Sequence, residues 1–591
     1  MKRRAGALGV AAGLLLALPA PASAVIRCVD VVSPQCAVSH ATTQLASNAA
    51  ADGDTVLIGP GPRPGFFSDD VVTWIGVGAT GPNRTELVGP NTDGAPAIQL
   101  SRGGELRSLS WRAGSAPAEP GAGLLFRPEV IGDYALTLTD VAGRAGERTA
   151  NGGQPAGAAL DWDPVVNATA AVTVRRATLD GATVASGITG ASGDAVSLRL
   201  EGATATFEDS TLRGPGNASG LRQNRGAVTL RRTLVEGSSA AVVNGGSLTT
   251  DRVTLGGRGV GLVALAQAPV TLSLRNTLVS ASDSGASVGM RMVSNAPAMS
   301  LTAVGSSIVS AGGGSGALQV IADALAPRLT ASLVNTVVQR QGAESANQAD
   351  IEVDSSDLAA AHSAFETIEL TGGATGPVAG AGTNLAAPPQ LITETFALSP
   401  GSPLVDRGDP AAVVPGELDR NGAPRALDAN GDCAAVPDIG AFEVAGAACP
   451  PAQNVAPAIS AASMTNRVFA VARAGAAQRR RVKRGTRFLY TLSEAATVRI
   501  AIERRAAGRR VRGRCRKPTR RNRGAPRCTR WVRRGAISAD EQAGAQSLRF
   551  SGRIRGRALR PGRHRARITA NDAAGAVSAE RRLAFRVVRS R

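Results

Sequence analysis

The chain has 591 residues, 43% apolar and 19% charged, a globular balance that excludes a disordered polymer. Seventy Gly, 33 Pro and an aromatic content of 3% argue against long helices and aromatic-lined clefts. The net charge of +20 is unevenly spread: residues 451–591 hold 37 Lys and Arg against 6 Asp and Glu, whereas residues 25–450 hold 26 against 40.

Residues 1–24 read as a secretory signal. Lys2-Arg3-Arg4 form a basic start, Ala5 to Leu18 an apolar stretch too short to span a bilayer, and Ala22-Ser23-Ala24 a small-residue cleavage site. Beyond them no apolar run approaches the roughly 18 residues that a spanning helix needs. The expected location is therefore secreted, with association at the cell surface and no transmembrane segment. Six cysteines fall into three close pairs, Cys28/Cys36, Cys433/Cys449 and Cys515/Cys528. In an oxidising compartment an even number and close pairing favour local disulfides over metal ligation, although other connectivities stay open. No CxxC occurs, and His40, His362 and His564 lie far apart, so no zinc pattern is present.

From about residue 130 to 340 the chain repeats itself. The pattern apolar-x-apolar-x-x-small-[ST]-apolar-x-[GS] occurs as VTVRRATLDG at 172–181, ATFEDSTLRG at 205–214, VTLRRTLVEG at 228–237 and LTTDRVTLGG at 248–257. It continues as LSLRNTLVSA at 272–281, LTAVGSSIVS at 301–310 and, more loosely, ASLVNTVVQR at 331–340. The copies start 20–33 residues apart, and a second alternating run precedes the later ones, as in GLVALAQAPVTL at 261–272. Short alternating runs closed by Gly, Asn, Asp or Pro are strands between turns. A strand cannot bury its apolar face alone, so repeats of this length predict a β-solenoid whose core is continuous from coil to coil. Leucine-rich repeats are disfavoured because their signature and helices are missing; a series of Ig-like sandwiches is the remaining rival.

Three acidic groups stand out. Asp161-Trp162-Asp163 places two carboxylates on one side of an extended strand, with Trp162 opposite. In ADIEVDSSD at 349–357, Asp350, Glu352 and Asp354 share one face of a strand, about 7 Å from one to the next. Such carboxylates are candidates for a glycosidase acid/base pair or a cation site, against the simpler reading of a solvated outer face. Asp428, Asn430 and Asp432 have the alternate spacing of many calcium loops. Cys433 stands where the loop glycine belongs and no acid where the bidentate one belongs, so an Asn-Gly turn explains them equally well. Calcium is the one cofactor with any candidate ligands; no other is indicated.

ATTQLASNAAADGDTVLIGPG at 41–61, LSPGSPLVDRGDP at 398–410 and DIGAFE at 438–443 resemble the opening and closing segments of secreted bacterial right-handed parallel β-helix proteins of the pectate-lyase-like superfamily. The resemblance covers about residues 25–445. It implies a right-handed parallel β-helix over 25–448, with a short amphipathic helix covering its first coil. It is weak for activity, since that superfamily includes lyases, hydrolases, esterases and adhesins. The polygalacturonase-type set needs an Arg-x-Lys and a His-Gly. No Lys occurs between positions 3 and 482, and neither His40 nor His362 precedes Gly. A lyase-type cluster of acids around an Arg would be built across coils and leaves no trace in one sequence.

The Pro- and Ala-rich stretch at 449–458 reads as a linker. Strand-like runs follow at 487–493, 497–505, 547–554, 564–570 and 581–588, and LRPGRHRARITANDAAGAVS at 559–578 resembles the last hairpin of bacterial Ig-like or fibronectin-III-like modules. The expected fold class is thus all-β: a parallel β-helix followed by a small basic β-sandwich over 459–591. Arg479-Arg480-Arg481, Arg509-Arg510 and Arg520-Arg521 concentrate its charge, and the segment between Cys515 and Cys528 reads as a pinned basic loop. Guanidinium clusters of this density suit carboxylate and phosphate polymers. Export and the acidic body argue against nucleic acid. The favoured function is non-catalytic binding or adhesion to polysaccharide or anionic cell-wall polymer; a polysaccharide lyase or glycoside hydrolase with a binding appendage is the alternative.

Overall fold

The computed structural model describes residues 24–589 except 118, 152–156, 165–167, 187, 189–190, 199–202, 284–286, 296–297, 313–315, 324, 342–348, 447–454 and 473–482. The fold is all-β, about 50% strand and 3% helix. It forms two compact units, Met1–Cys449 and Pro450–Arg591. The expected signal segment lies almost wholly outside the described residues, as does most of the linker.

The first unit is built from long parallel sheets. One has 14 strands, among them Asp133–Thr139, Thr169–Arg175, Ala203–Glu208 and Ala227–Arg231 in neighbouring positions. A second has 21 strands in two columns. One column contains Ala142–Arg144, Thr178–Asp180 and Thr211–Arg213; the other contains Leu160–Trp162, Val196–Leu198 and Leu221–Gln223. In two coils both columns belong to single long strands, Leu234–Val243 and Thr254–Leu265. Three columns visited in turn by each coil are compatible with a solenoid.

The ten-residue repeat explains this geometry. In VTVRRATLDG, Val172 and Val174 point into the core, the chain turns at Arg176, and Ala177 and Leu179 point inward again. Equivalent residues stack across coils, Val174 on Phe207 on Leu230 on Thr250 on Leu274. The turn is a single residue in the left-handed region: Ser108, Asp140, Arg176, Asp209, Arg232, Arg252, Asn276 and Asn335 all have φ between 48° and 56°. An L-residue there is disfavoured by roughly 1–2 kcal/mol, and each turn is compensated by ladder bonds. The Asp140 amide donates to Arg175 at 3.1 Å, that of Arg176 to Glu208 at 3.0 Å, and that of Asp209 to Arg231 at 3.1 Å. The next residue is often a hydroxyl facing the core. Ser210, Thr233, Thr277 and Thr336 each donate to the carbonyl two residues back, at 2.8–2.9 Å, and so enter the core satisfied.

At the start, helix Thr43–Ala49 is capped by Thr42 and inserts Ala46 into the same core. Asp54 of the DGDT run is buried and accepts from the amides of Val25 and Ala51 and from Arg27. Beyond the last coil, irregular chain folds back along the turn column. Asn335 exchanges two hydrogen bonds with Asp409, Glu417 pairs with Arg275 at 2.8 Å and accepts from Asn276, and Arg420 donates to Thr254. This strap explains the closing motifs. Ile439, Ala441 and Phe442 of DIGAFE cover Leu278, Val309 and Val337, which would otherwise be outward-facing apolar side chains.

In the second unit two sheets enclose one core. Ile459–Met464, Thr486–Leu492 and Gly544–Phe550 form one; Val468–Ala470, Arg581–Val588, Gly562–Asn571, Ala496–Val511 and Arg527–Glu541 lie in the other. Phe469, Phe488, Phe550 and Phe585 pack between them. The strand Arg527–Glu541 goes beyond the sequence expectation, because its Arg content masks the apolar alternation.

Candidate functional site

The acidic candidates are placed by the coils. Asp161 is outward in its strand yet only 4% exposed, and Trp162 packs against Phe126 with its ring tilted, inside the core. Asp163 lies past the strand end. Asp350 precedes the strand Ile351–Asp354, and its carboxylate is committed to the backbone: it accepts from the amides of Arg340 at 2.8 Å, Glu366 at 2.8 Å and Thr367 at 3.1 Å. Glu352 faces outward and accepts from Gln319 at 2.7 Å, and Gln319 in turn accepts from Arg291. Asp354 accepts from the Ser355 hydroxyl. Asp161 and Glu352 belong to one outward row, through Ser197, Arg222, Val242, Val263, Arg291 and Gln319. Ladder steps of about 4.8 Å put them roughly 34 Å apart, too far to act on one bond.

The calcium-like segment is a self-capped turn. Asp428 accepts from the amides of Gly431, Asp432 and Cys433, Asn430 from Asp432, and Asp432 from Ala434. Among the described residues no group of three or more His, Cys, Asp or Glu side chains is arranged to hold a metal ion. Cys28–Cys36 and Cys515–Cys528 are disulfides. Cys433 is disulfide-bonded too; its expected partner Cys449 lies outside the described residues. No helix among them is long and apolar enough to cross a membrane.

A shallow groove of about 630 Å³ follows the bend between the two columns of the larger sheet. Apart from Arg258, its charged lining comes from the ninth position of successive repeats, so that Arg144, Asp180, Arg213 and Glu236 stand side by side. Arg213 and Glu236 meet at 2.9 Å, and Arg144 and Asp180 at 3.8 Å, so the row largely neutralises itself. Aligning the repeats by their ninth residue exposes this row in the sequence. Trp74, Trp111 and Trp162 are all buried at 1% exposure or less, so they offer no face to a sugar.

The second unit is different. From Arg504 to Ala539 there is no Asp or Glu. Residues 505–509 pair with the strand Arg527–Glu541 as a ribbon, closed near its tip by Cys515–Cys528. Gly508 is required there, since a Cβ would lie 2.3 Å from Cys515 Sγ. Arg509 is half-buried and donates to the Ala525 carbonyl, while Arg510, Arg520 and Arg521 are exposed at or near the tip. Arg479, Arg480 and Arg481 lie outside the described residues. Four of the unit's six acids are engaged elsewhere: Glu503 with Arg565 and Arg567, Glu580 with Arg567 and Arg582, Asp540 with Thr497, Glu541 with Tyr490. No protein-family model matches the sequence, and no curated protein matches it.

Proposed function

We propose that the chain is an exported binding protein, in which a right-handed parallel β-helix of the pectate-lyase-like kind carries a basic Ig-like sandwich that holds acidic polysaccharide or anionic cell-wall polymer. The hand follows from the general rule that parallel crossovers are right-handed in about 98% of cases. Export is supported by the leader-like start and by disulfides, which persist in oxidising compartments. The observation that carries the binding role is the carboxylate-free stretch from Arg504 to Ala539, whose guanidiniums have few acids of their own unit to pair with. Arg binds carboxylate and phosphate bidentately, and a dense unpaired patch also steers polyanions.

Co-sedimentation of the full chain with acidic and neutral polysaccharides tests the reading. Retention by the acidic polymers alone, weakening as salt rises above about 0.15 M, is the expected result. Equal retention on neutral polymers, or none on either, refutes it. Release of unsaturated or reducing ends during the same incubation would instead identify an enzyme.

A further inference from the structure

One concavity of the second unit, about 1510 Å³, is not at the ribbon tip. It lies between the short hairpin around Ile554 and Arg557 and the strands that carry Arg504 and Arg533, and its walls include Arg499, Arg504, Arg533, Arg534, Arg555, Arg557 and Arg560. None of these seven pairs with a carboxylate among the described residues, and all but Arg504 are exposed. Seven guanidiniums around one hollow repel one another and remain together only at an electrostatic cost, which an anionic occupant removes.

His564 also contributes to the lining and is 1% exposed. Its Nδ1 meets the Gly562 carbonyl at 3.1 Å, and since a carbonyl only accepts, Nδ1 carries the proton. Nε2 is left as an acceptor, buried and with no donor. Burial, with Arg504 and Arg534 nearby, pushes the imidazole below its ordinary pKa and keeps it neutral. That atom is closed to solvent, so what the hollow presents to a ligand is chiefly its guanidinium donors. With no Trp, Tyr or Phe in the lining there is no stacking platform for nucleobases.

We infer that this concavity is a discrete binding site for an acidic polysaccharide, a chain of uronate or sulfated sugars whose anionic groups are held by the seven arginines. The inference rests on the function proposed above and places its binding in one hollow rather than across the whole basic surface. The test uses the full chain and two variants of equal charge change. One is R533Q/R534Q/R555Q/R557Q in the concavity; the other is R509Q/R510Q/R520Q/R521Q on the ribbon. Affinity for polygalacturonate is measured by calorimetry, with unfolding midpoints to confirm folding. The concavity variant is expected to lose about tenfold or more, and the ribbon variant about threefold or less, the residue of net charge alone. A four-fold Arg→Lys variant of the concavity keeps the charge but not the bidentate fork, and is expected to fall between them. Equal loss in the two Gln variants would overturn the discrete site while leaving the broader reading intact. Failure of the unaltered chain to bind any acidic polymer would overturn both. Tighter binding of polyphosphate or single-stranded DNA than of polygalacturonate would overturn the sugar assignment.

Discussion

Arg425 and Glu443 meet at 2.9 Å with side chains 1% and 0% exposed, an ion pair sealed inside the strap of the first unit. Arg425 also donates to the carbonyls of Gly440 and Asp438, and Glu443 accepts from the Asp438 amide. Asp438, itself buried, accepts from the amides of Asp406 and Val444. One guanidinium thus lies beside two buried carboxylates. Desolvation pushes Asp438 up to about 6 and Glu443 up to about 8.

The strap is therefore expected to be better anchored in acid than in base. A carboxyl with a raised folded pKa adds stability that is fully present below its unfolded value and disappears as pH rises through its folded value. The window here runs from about 4 to about 8. Hydrogen-exchange protection of residues 404–444, taken relative to the base-catalysed intrinsic rate at each pH, should be greater at pH 5 than at pH 8.5. Arg425→Ala leaves the acids without a counter-charge and should cost about 3–5 kcal/mol at pH 8.5, and clearly less at pH 5, where the acids can be neutral. A loss independent of pH would mean that the acids do not titrate in this range.

The coils were legible in sequence because stacking imposes the same alternation on each. Val172, Val174, Ala177 and Leu179 occupy positions that recur as Ala205, Phe207, Ser210 and Leu212, and the pattern survives variable loops. The strap was legible only as two short motifs, since irregular chain has no period and its signals are turn residues. Arg425 and Glu443 gave no hint that they face each other. Nor could spacing show that Asp161 and Glu352 share a row, because that depends on how many coils intervene. The arginine concavity escaped for a like reason: Arg504 and Arg555 are brought to one hollow by the fold, whereas the adjacent arginine pairs drew attention to the ribbon.

Gly143 tests the packing of the first coils. A Cβ there would lie 2.4 Å from the Trp111 ring, which crosses over it to donate to the Ala159 carbonyl at 3.1 Å. Gly143→Ala should destabilise the first unit by about 1–3 kcal/mol through overpacking. Combining it with Trp111→Leu should recover part of that loss relative to the sum of the single variants, as measured by denaturant unfolding. Strict additivity would show that the two side chains do not compete for one space.

The turn column makes a different prediction. Arg176, at φ 50°, reaches back to Asp140 with two bonds of 2.5 and 2.7 Å, yet both side chains are about half exposed. Such a surface pair is worth about 0–1 kcal/mol. Backbone conformation should therefore dominate. Arg176→Val, β-branched in the left-handed region, should lose more stability than Arg176→Gly by about 1–2 kcal/mol. If Gly and Val cost the same, the ion pair rather than the turn holds this corner.

The Cys515–Cys528 bridge should matter for the ribbon and little for the rest of its unit. It joins positions 13 apart, spans the tip, and lies away from the phenylalanine core. Closing a loop of about this size removes roughly 3 kcal/mol of chain entropy from the open state. Arg514, Arg516, Lys517, Arg520, Arg521 and Arg523 are exposed at the tip, so trypsin reports directly on its order. Mild reduction, or Cys515→Ser with Cys528→Ser, should speed cleavage there about a hundredfold if opening governs the rate. Fluorescence of Trp531, which lies beneath the Arg565 guanidinium at 4.5 Å, should change little, because Glu503 holds Arg565 in place independently of the bridge. Cleavage at an unchanged rate would show that pairing between residues 505–509 and the facing strand is sufficient to order the tip. Collapse of the whole unit on reduction would show that the bridge supports the core as well.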